Sequence, residues 1–528
     1  MSNHVSQWTK RAAVASIAAL TMFCAVGAVA ASSAVASPTV TEVAPGSGEH
    51  GYPYDAVPPT PIVPGAPFIN LGERGYAEKE FTMSGTANVY RQNGTWGSNG
   101  KWNVSVSQPN LPYTTRLLVR YPTNPAKFNG TVVVEWLNDT TGGDQDPVWS
   151  EIYNNALNQG YAYIGVTAQA TGIKDLQKWD AARYGSLSSS SDGQSYDIFT
   201  QTAQAAATNY ATLLGGLKPK AIVGSGDSQS AFRVDTYVNA FQPSMKAYNA
   251  FMAIGRYVGA SPLAGGIVTT SPLPAFVRSD NTTPFIQLNT EGDEYELLAS
   301  YVRQSDTNYL RTWELPGAAH IDAHEAEYEL ATIAREVPTL PLVKCTFGIP
   351  VTIGSLTVHE ADNMPLFELE NAALADTQKW LTKGVAPPKG AQISTNPFWF
   401  NTIFRDQYGN ALGGTRLPDI QVPTETYSAI NVVEPETNLN LLGALNEIFS
   451  SVTGESSEIP SSLRASGLCL LSGFAAPFSH STLQRLYPTH ASYVSKFTAA
   501  AKESLAAGFL TAEDYATTVA KAEAAPVP

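Results

Sequence analysis

Cysteine, histidine and positive charge are all scarce in this chain. Three cysteines occur in 528 residues. That is too few for a disulfide-stapled scaffold or a cysteine-rich metal module. Lys and Arg number 32 against 46 Asp and Glu, for a formal net charge of −14. A surface so short of cations repels phosphate backbones and anionic lipid, so no nucleic-acid partner is expected. No internal repeat is present. Long apolar runs are missing as well, with one exception near the N-terminus, so no other segment has the length to cross a bilayer.

The exception reads as a secretion signal over residues 1–36. Lys10 and Arg11 supply a positive start and residues 12–30 an Ala-rich apolar core. Ala34-Val35-Ala36 is an A-x-A cleavage signal before Ser37. An uncleaved anchor is the alternative. Cys24 follows Thr21-Met22-Phe23, which does not look like a lipid-attachment site. The expected mature protein is secreted or exported to the cell envelope, with no membrane contact after cleavage. It has roughly 490 residues, too many for one small core. Cys345 and Cys469 remain and form a candidate disulfide in an oxidising compartment; two free buried thiols are the alternative.

Against this background one stretch stands out. Lys220-Ala221-Ile222-Val223-Gly224-Ser225 is a short apolar run, and Gly226-Asp227-Ser228-Gln229-Ser230 follows at once. A strand entering a tight turn of small residues and then a helix holds a serine hydroxyl clear of the backbone. The usual pattern is G-x-S-x-G, and Ser230 is small enough to take the last place. Backbone strain is expected at Ser228, because such strain persists where it serves function. Taken alone, the pentapeptide is equally an ordinary turn.

A serine hydroxyl needs a base, and the base needs an orienting group. In the hydrolase arrangement the chain order is Ser, then Asp or Glu, then His. Residues 283–289 read as a buried strand ending in Thr290-Glu291-Gly292-Asp293-Glu294. Asp293 follows a glycine that turns it towards the active-site edge, and Glu291 is its rival. The plainer reading makes these acids solvated caps of a helix over 295–303. Residues 309–315 read as a further strand, leading into Pro316-Gly317-Ala318-Ala319-His320. Only seven histidines exist, and His320 alone has this strand–Gly–small–small–His context. His320 and His324 are four apart, but the segment is not H-E-x-x-H and lacks a third ligand, so no metal is expected.

An oxyanion hole needs the amide after the nucleophile and one from a loop after an earlier strand. Gln229 supplies the first. The strand Thr131-Val132-Val133-Val134-Glu135-Trp136 opens into Leu137-Asn138-Asp139-Thr140-Thr141-Gly142-Gly143, and Asn138 or Asp139 is the candidate second donor.

At these residues the chain resembles a family, the large secreted α/β-hydrolase-domain proteins of bacteria, with a G-x-S-x-S elbow. The resemblance rests on Val133-Val134-Glu135-Trp136-Leu137-Asn138 and Gly142-Gly143. It extends through Trp179-Asp180-Ala181-Ala182-Arg183-Tyr184-Gly185-Ser186-Leu187, the elbow, and the acid and histidine loops. Residues 409–418 and Leu486-Tyr487-Pro488-Thr489-His490 also match. It covers most of the mature chain. It implies an α/β-hydrolase fold with Ser228 and His320 at the nucleophile and base positions. Both Glu291 and Asp293 fall within its acid motif, and it is silent on substrate.

The remaining pattern fits that fold. Residues 81–91 and 102–108 read as early antiparallel strands, and 115–121, 131–136 and 160–167 as further strands. Residues 148–159, 197–214 and 371–382 read as helices. Alternation of this kind predicts a mostly parallel sheet with helices on both faces. Residues 38–67 read as an extended arm, 256–280 as a lid or surface crossover, and 450–462 as an exposed loop. Asp406-Gln407-Tyr408-Gly409-Asn410 reads as a hairpin turn with too few acids for calcium. Residues 481–524 show helical spacing and read as two or three helices packed on the body. The expected organisation is a signal over 1–36, a catalytic domain over 37–390 and a C-terminal extension over 391–528.

The expected function is cleavage of a carboxylic ester in a small molecule through Ser228, His320 and Asp293 (or Glu291), without metal or organic cofactor. An amidase or peptidase with the same triad is a second reading. A non-catalytic envelope binding protein on the same scaffold is a third. The oligomeric state is not legible.

Overall fold

In the computed structural model, residues 37–44, 69–140, 143–265, 272–336, 361–396, 402–429 and 471–528 are described. The signal segment, most of the 38–67 arm, Cys345, Cys469 and the 450–462 loop lie outside them.

Nine strands form one sheet: β1 (Thr39–Glu42), β2 (Tyr76–Gln92), β3 (Val104–Pro122), β4 (Thr131–Trp136), β5 (Ala162–Val166), β6 (Ala221–Asp227), β7 (Ala250–Ile254), β8 (Phe285–Thr290) and β9 (Leu310–Leu315). Their order across the sheet is β1-β2-β3-β5-β4-β6-β7-β8-β9. The first three pair antiparallel, β3 meets β5 antiparallel, and β5 onwards is parallel. This is the α/β-hydrolase arrangement, with β1 added at one edge.

Strand β4 shows why both faces are covered. All six of its residues are buried. Val132, Val134 and Trp136 belong to a core with Phe199 and Val234. Val133 belongs to a core with Ile152, Met252 and Leu369. Period-two alternation sends neighbours to opposite faces, so a strand buried at every position needs helices on both sides. Helices Ser195–Thr208 and Gln229–Ala240 cover one face, and Pro147–Gln159 and Leu366–Lys383 the other.

Several boundaries differ from those read along the chain. The strands expected at 102–108 and 115–121 are one long strand, β3, because its pairing with β2 continues through Pro112. The 197–214 helix breaks at Asn209 into Ser195–Thr208 and Tyr210–Leu213. The five residues of β7 had no alternation and no turn signal to announce them. The helix expected over 295–303 is instead Glu291–Tyr295 followed by a 3-10 turn, Ala299–Val302. Starting the helix four residues earlier places the acids inside its first turn.

The C-terminal helices are His480–Leu486, His490–Ala507 and Ala512–Ala524. Ala501 and Leu510 join the core under the sheet, and Phe509 meets the Trp313 ring of β9 edge-on at 5.0 Å. Among the described residues no helix is long and apolar enough to cross a membrane.

Candidate active site

Strand β6 runs straight into the helix Gln229–Ala240, and Ser228 is the joint between them. Its backbone sits at φ 52, ψ −121, a conformation that side chains with a Cβ rarely adopt. Neighbouring residues hold it there. Gly226 lies so close to the helix that a Cβ would come within 2.8 Å of Ser230 backbone atoms. Ser230 does more than fill a small space. Its hydroxyl accepts from the Asp227 amide at 3.0 Å and donates to the Asp227 carbonyl at 2.8 Å. A glycine there would leave both groups without that hydroxyl. Asn138 adds a clamp from the loop after β4, its side-chain amide donating to the same carbonyl at 3.0 Å.

Ser228 Oγ lies 2.9 Å from His320 Nε2, and His320 Nδ1 lies 2.5 Å from Asp293 Oδ1. Asp293 arrives there by a capping box. Thr290 Oγ1 accepts the Asp293 amide at 3.1 Å, and Asp293 Oδ2 accepts the Thr290 amide at 2.7 Å. One carboxylate oxygen is thereby fixed on the backbone and the other aimed at the imidazole. T-x-x-D stands in the sequence, but it becomes a capping box only because the helix starts at Glu291, which the fold decides.

Glu291 faces elsewhere. Its Oε2 accepts the Gly317 amide at 2.7 Å, and its Oε1 pairs with Arg405. It ties the histidine loop to the segment 402–429. Asp362 supports the same loop, accepting the Ala319 amide, while Leu471 O accepts the Ile321 amide at 3.1 Å. The loop bearing His320 is therefore braced by residues far away in sequence, two of them beyond residue 390. Arg405→Ala strands a buried carboxylate. It is expected to cost about 2 kcal/mol, less than a fully buried pair because Arg405 is about one-third exposed. Urea denaturation measures this.

Gly255 closes the site from β7. A Cβ there would sit 2.9 Å from His320 Cε1 and 3.2 Å from Nδ1, and its φ of +66 already favours glycine. Neither Gly255 nor Asp362 carried any sequence signal.

Of the amides proposed for an oxyanion hole, that of Gln229 opens the helix and has no partner among the described residues. The Asn138 amide is not free. It donates to Gln145 O at 2.9 Å, which corrects its place as a candidate donor. The Asp139 amide has no partner among the described residues. Thr141 and Gly142 lie outside them.

Several other residues around the site have structural work. Glu135 accepts the Val148 and Trp149 amides at 3.0 Å each, capping the helix Pro147–Gln159. Arg183 and Arg116 converge on buried Glu80, which anchors the 179–187 segment on β2. His324 stacks between Tyr153 and Phe367 rather than beside His320.

The field at His320 is strongly negative. Burial opposes its charge, but Asp293, Asp227 and Glu296 outweigh burial and raise its pKa to about 9. Burial raises the Asp227 carboxyl to about 7, against the pull of His320.

A family model for the alpha/beta hydrolase domain matches residues 39–520. No curated protein matches the chain. Among solved structures, a lidless serine hydrolase from Xanthomonas campestris is 10% identical, with 48% of this chain and 97% of that one covered, at TM-score 0.27. A serine hydrolase homologue from Coxiella burnetii is 10% identical over 43% and 93%, at TM-score 0.28. A carboxylesterase from Lactobacillus plantarum is 11% identical over 43% and 82%, at TM-score 0.25.

Proposed function

Because the chain belongs to the alpha/beta hydrolase domain family, we propose that it is an exported serine hydrolase that cleaves a carboxylic ester through Ser228, His320 and Asp293. The observation that carries this reading is the continuous Ser228–His320–Asp293 chain of 2.9 and 2.5 Å contacts at a strained strand–helix turn. Export rests on the signal-like residues 1–36.

Each group has a task. Ser228 Oγ attacks the ester carbonyl while its proton passes to His320 Nε2. Asp293 holds the Nδ1 proton and offsets the imidazolium charge. The Gln229 amide, with that of Asp139, stabilises the oxyanion, and removing one such donor generally costs about 10²–10³ in kcat. Collapse of the tetrahedral species breaks the bond to the alcohol oxygen, which takes the proton from His320. Water then attacks the acyl-enzyme, giving its proton to His320, and the acid leaves with Ser228 restored.

A fluorophosphonate probe is expected to label Ser228, and a panel of esters of graded chain length and aromaticity should include a substrate. No labelling and no turnover across the panel would sink the reading. Gly255→Ala is expected to lower kcat by about 10², since a displaced imidazole loses its alignment with Ser228. Steady-state kinetics on the best ester tests it.

A further inference from the structure

The Asn138 amide is spent on Gln145, but the Asn138 side chain touches both sides of the oxyanion site. The residue lies in the loop after β4 and is 5% exposed. Its backbone closes the base of that loop, the amide donating to Gln145 O and the carbonyl accepting the Gln145 amide, both at 2.9 Å. Its side chain then reaches in two directions. Oδ1 accepts the Thr140 amide at 2.7 Å, and Nδ2 donates to Asp227 O at 3.0 Å. The first bond makes an Asx-turn, in which a side-chain oxygen stands in for a backbone carbonyl. Asp139 is the residue enclosed by that turn. The second bond lands on the peptide that joins Asp227 to Ser228. The other edge of the same peptide is held as well, since the Ser228 amide donates to Ile254 O at 2.9 Å.

We propose that Asn138 is a positioning residue that sets the gap between the two oxyanion donors, the amides of Asp139 and Gln229. This rests on the hydrolase reading. One donor stands on the loop after β4, and the other follows Ser228 at the elbow. Strands β4 and β6 are parallel neighbours, and their ladder runs as far as the pair Glu135 and Ser225. Beyond that pair the Asn138 carboxamide carries the connection between the two segments.

The chemistry suits a carboxamide. The Thr140 N–H can only donate and the Asp227 carbonyl can only accept, so the spanning group needs an acceptor at one end and a donor at the other. Aspartate has the acceptor and lacks the donor. The helix Ala170–Trp179 adds a hold on each donor residue from behind. Gln169 Oε1 accepts the Gln229 side-chain amide at 2.8 Å, and the Gly172 amide donates to Asp139 Oδ2 at 3.3 Å. Those bonds hold side chains, whereas the Asn138 side chain holds backbone at both ends. An oxyanion gains fully only when both amides reach the same oxygen, and a misplacement of about 1 Å costs about 10²-fold in rate.

Two measurements on the full chain test this. One is the rate at which a fluorophosphonate labels Ser228, because its phosphoryl oxygen takes the oxyanion position. The other compares the best ester with its thionoester, whose sulfur is a weak hydrogen-bond acceptor and draws little from the two amides. In Asn138→Ala the labelling rate and kcat on the ester are expected to fall by about 10², with KM changed little. Thionoester turnover should fall far less, so the ester-to-thionoester ratio drops. Asn138→Asp keeps the bond to Thr140 and loses the donor to Asp227 O, and it should show a similar loss. Urea denaturation of the same preparations shows which variants are folded. A wild-type labelling rate in either folded variant overturns the proposal. So does an equal fall on ester and thionoester, which marks a displaced Ser228 rather than a widened oxyanion site. Failure of the hydrolase reading shows differently, as a wild-type Ser228 that no fluorophosphonate labels.

Discussion

Replacing Ser228 with alanine is expected to lower kcat on any ester substrate by about 10⁴-fold or more. No other group can substitute. His320 Nε2 is directed at Ser228 Oγ, and the Gln229 amide is set by the same turn. The variant should keep substrate affinity, because the removed atom makes its bond only as the reaction proceeds. It should also fold. The strain at Ser228 belongs to the backbone, and the clamps from Gly226, Ser230 and Asn138 do not use the Ser228 hydroxyl. Steady-state kinetics with an unfolding curve on the same preparation checks both. Unchanged turnover in the alanine protein would remove Ser228 from the mechanism.

The second large effect is expected for Asp293→Asn, a fall in kcat of about 10⁴ with the fold intact. The reason lies in the cap. The Thr290 amide donates to one carboxylate oxygen at 2.7 Å, so an asparagine keeps its carbonyl there. Its NH2 then points at His320 Nδ1. Two donors cannot face each other, so the imidazole moves its proton to Nε2 and can no longer accept from Ser228. The wrong tautomer, rather than a lost charge alone, accounts for the size of the effect. Glu291→Gln should behave differently. Its carboxylate serves the Gly317 amide and Arg405, so the change should appear mainly in stability and only weakly in kcat. Measuring kcat and unfolding free energy for both variants separates the roles. A larger kcat loss in Glu291→Gln would reverse the assignment.

Much of this was legible along the chain because it depends on local order. The parallel sheet follows from apolar runs alternating with helical patterns. The elbow follows from Gly226, Ser228 and Ser230 spanning the end of β6 and the start of the helix. The order Ser228, then an acid at Glu291 or Asp293, then His320 was legible too, with the two acids left open. What did not show were contacts between segments. Gly255, in a Gly that looks like any loop glycine, packs against the imidazole. Asp362 and Arg405 brace loops some 40 and 110 residues away. Glu296 looks like one more acid in a run of acids until its burial is known.

By itself the sequence determined which chemical groups exist, in what order, and on which kinds of local element, because propensity, periodicity and turn chemistry act over a few residues. Only the tertiary structure decided which of two carboxylates two residues apart meets His320, which amides are spent and which are free, and which buried charges share one field. Those depend on distances set by the packing of β6, β7, β8 and the returning C-terminal segments, and no short-range signal encodes such distances.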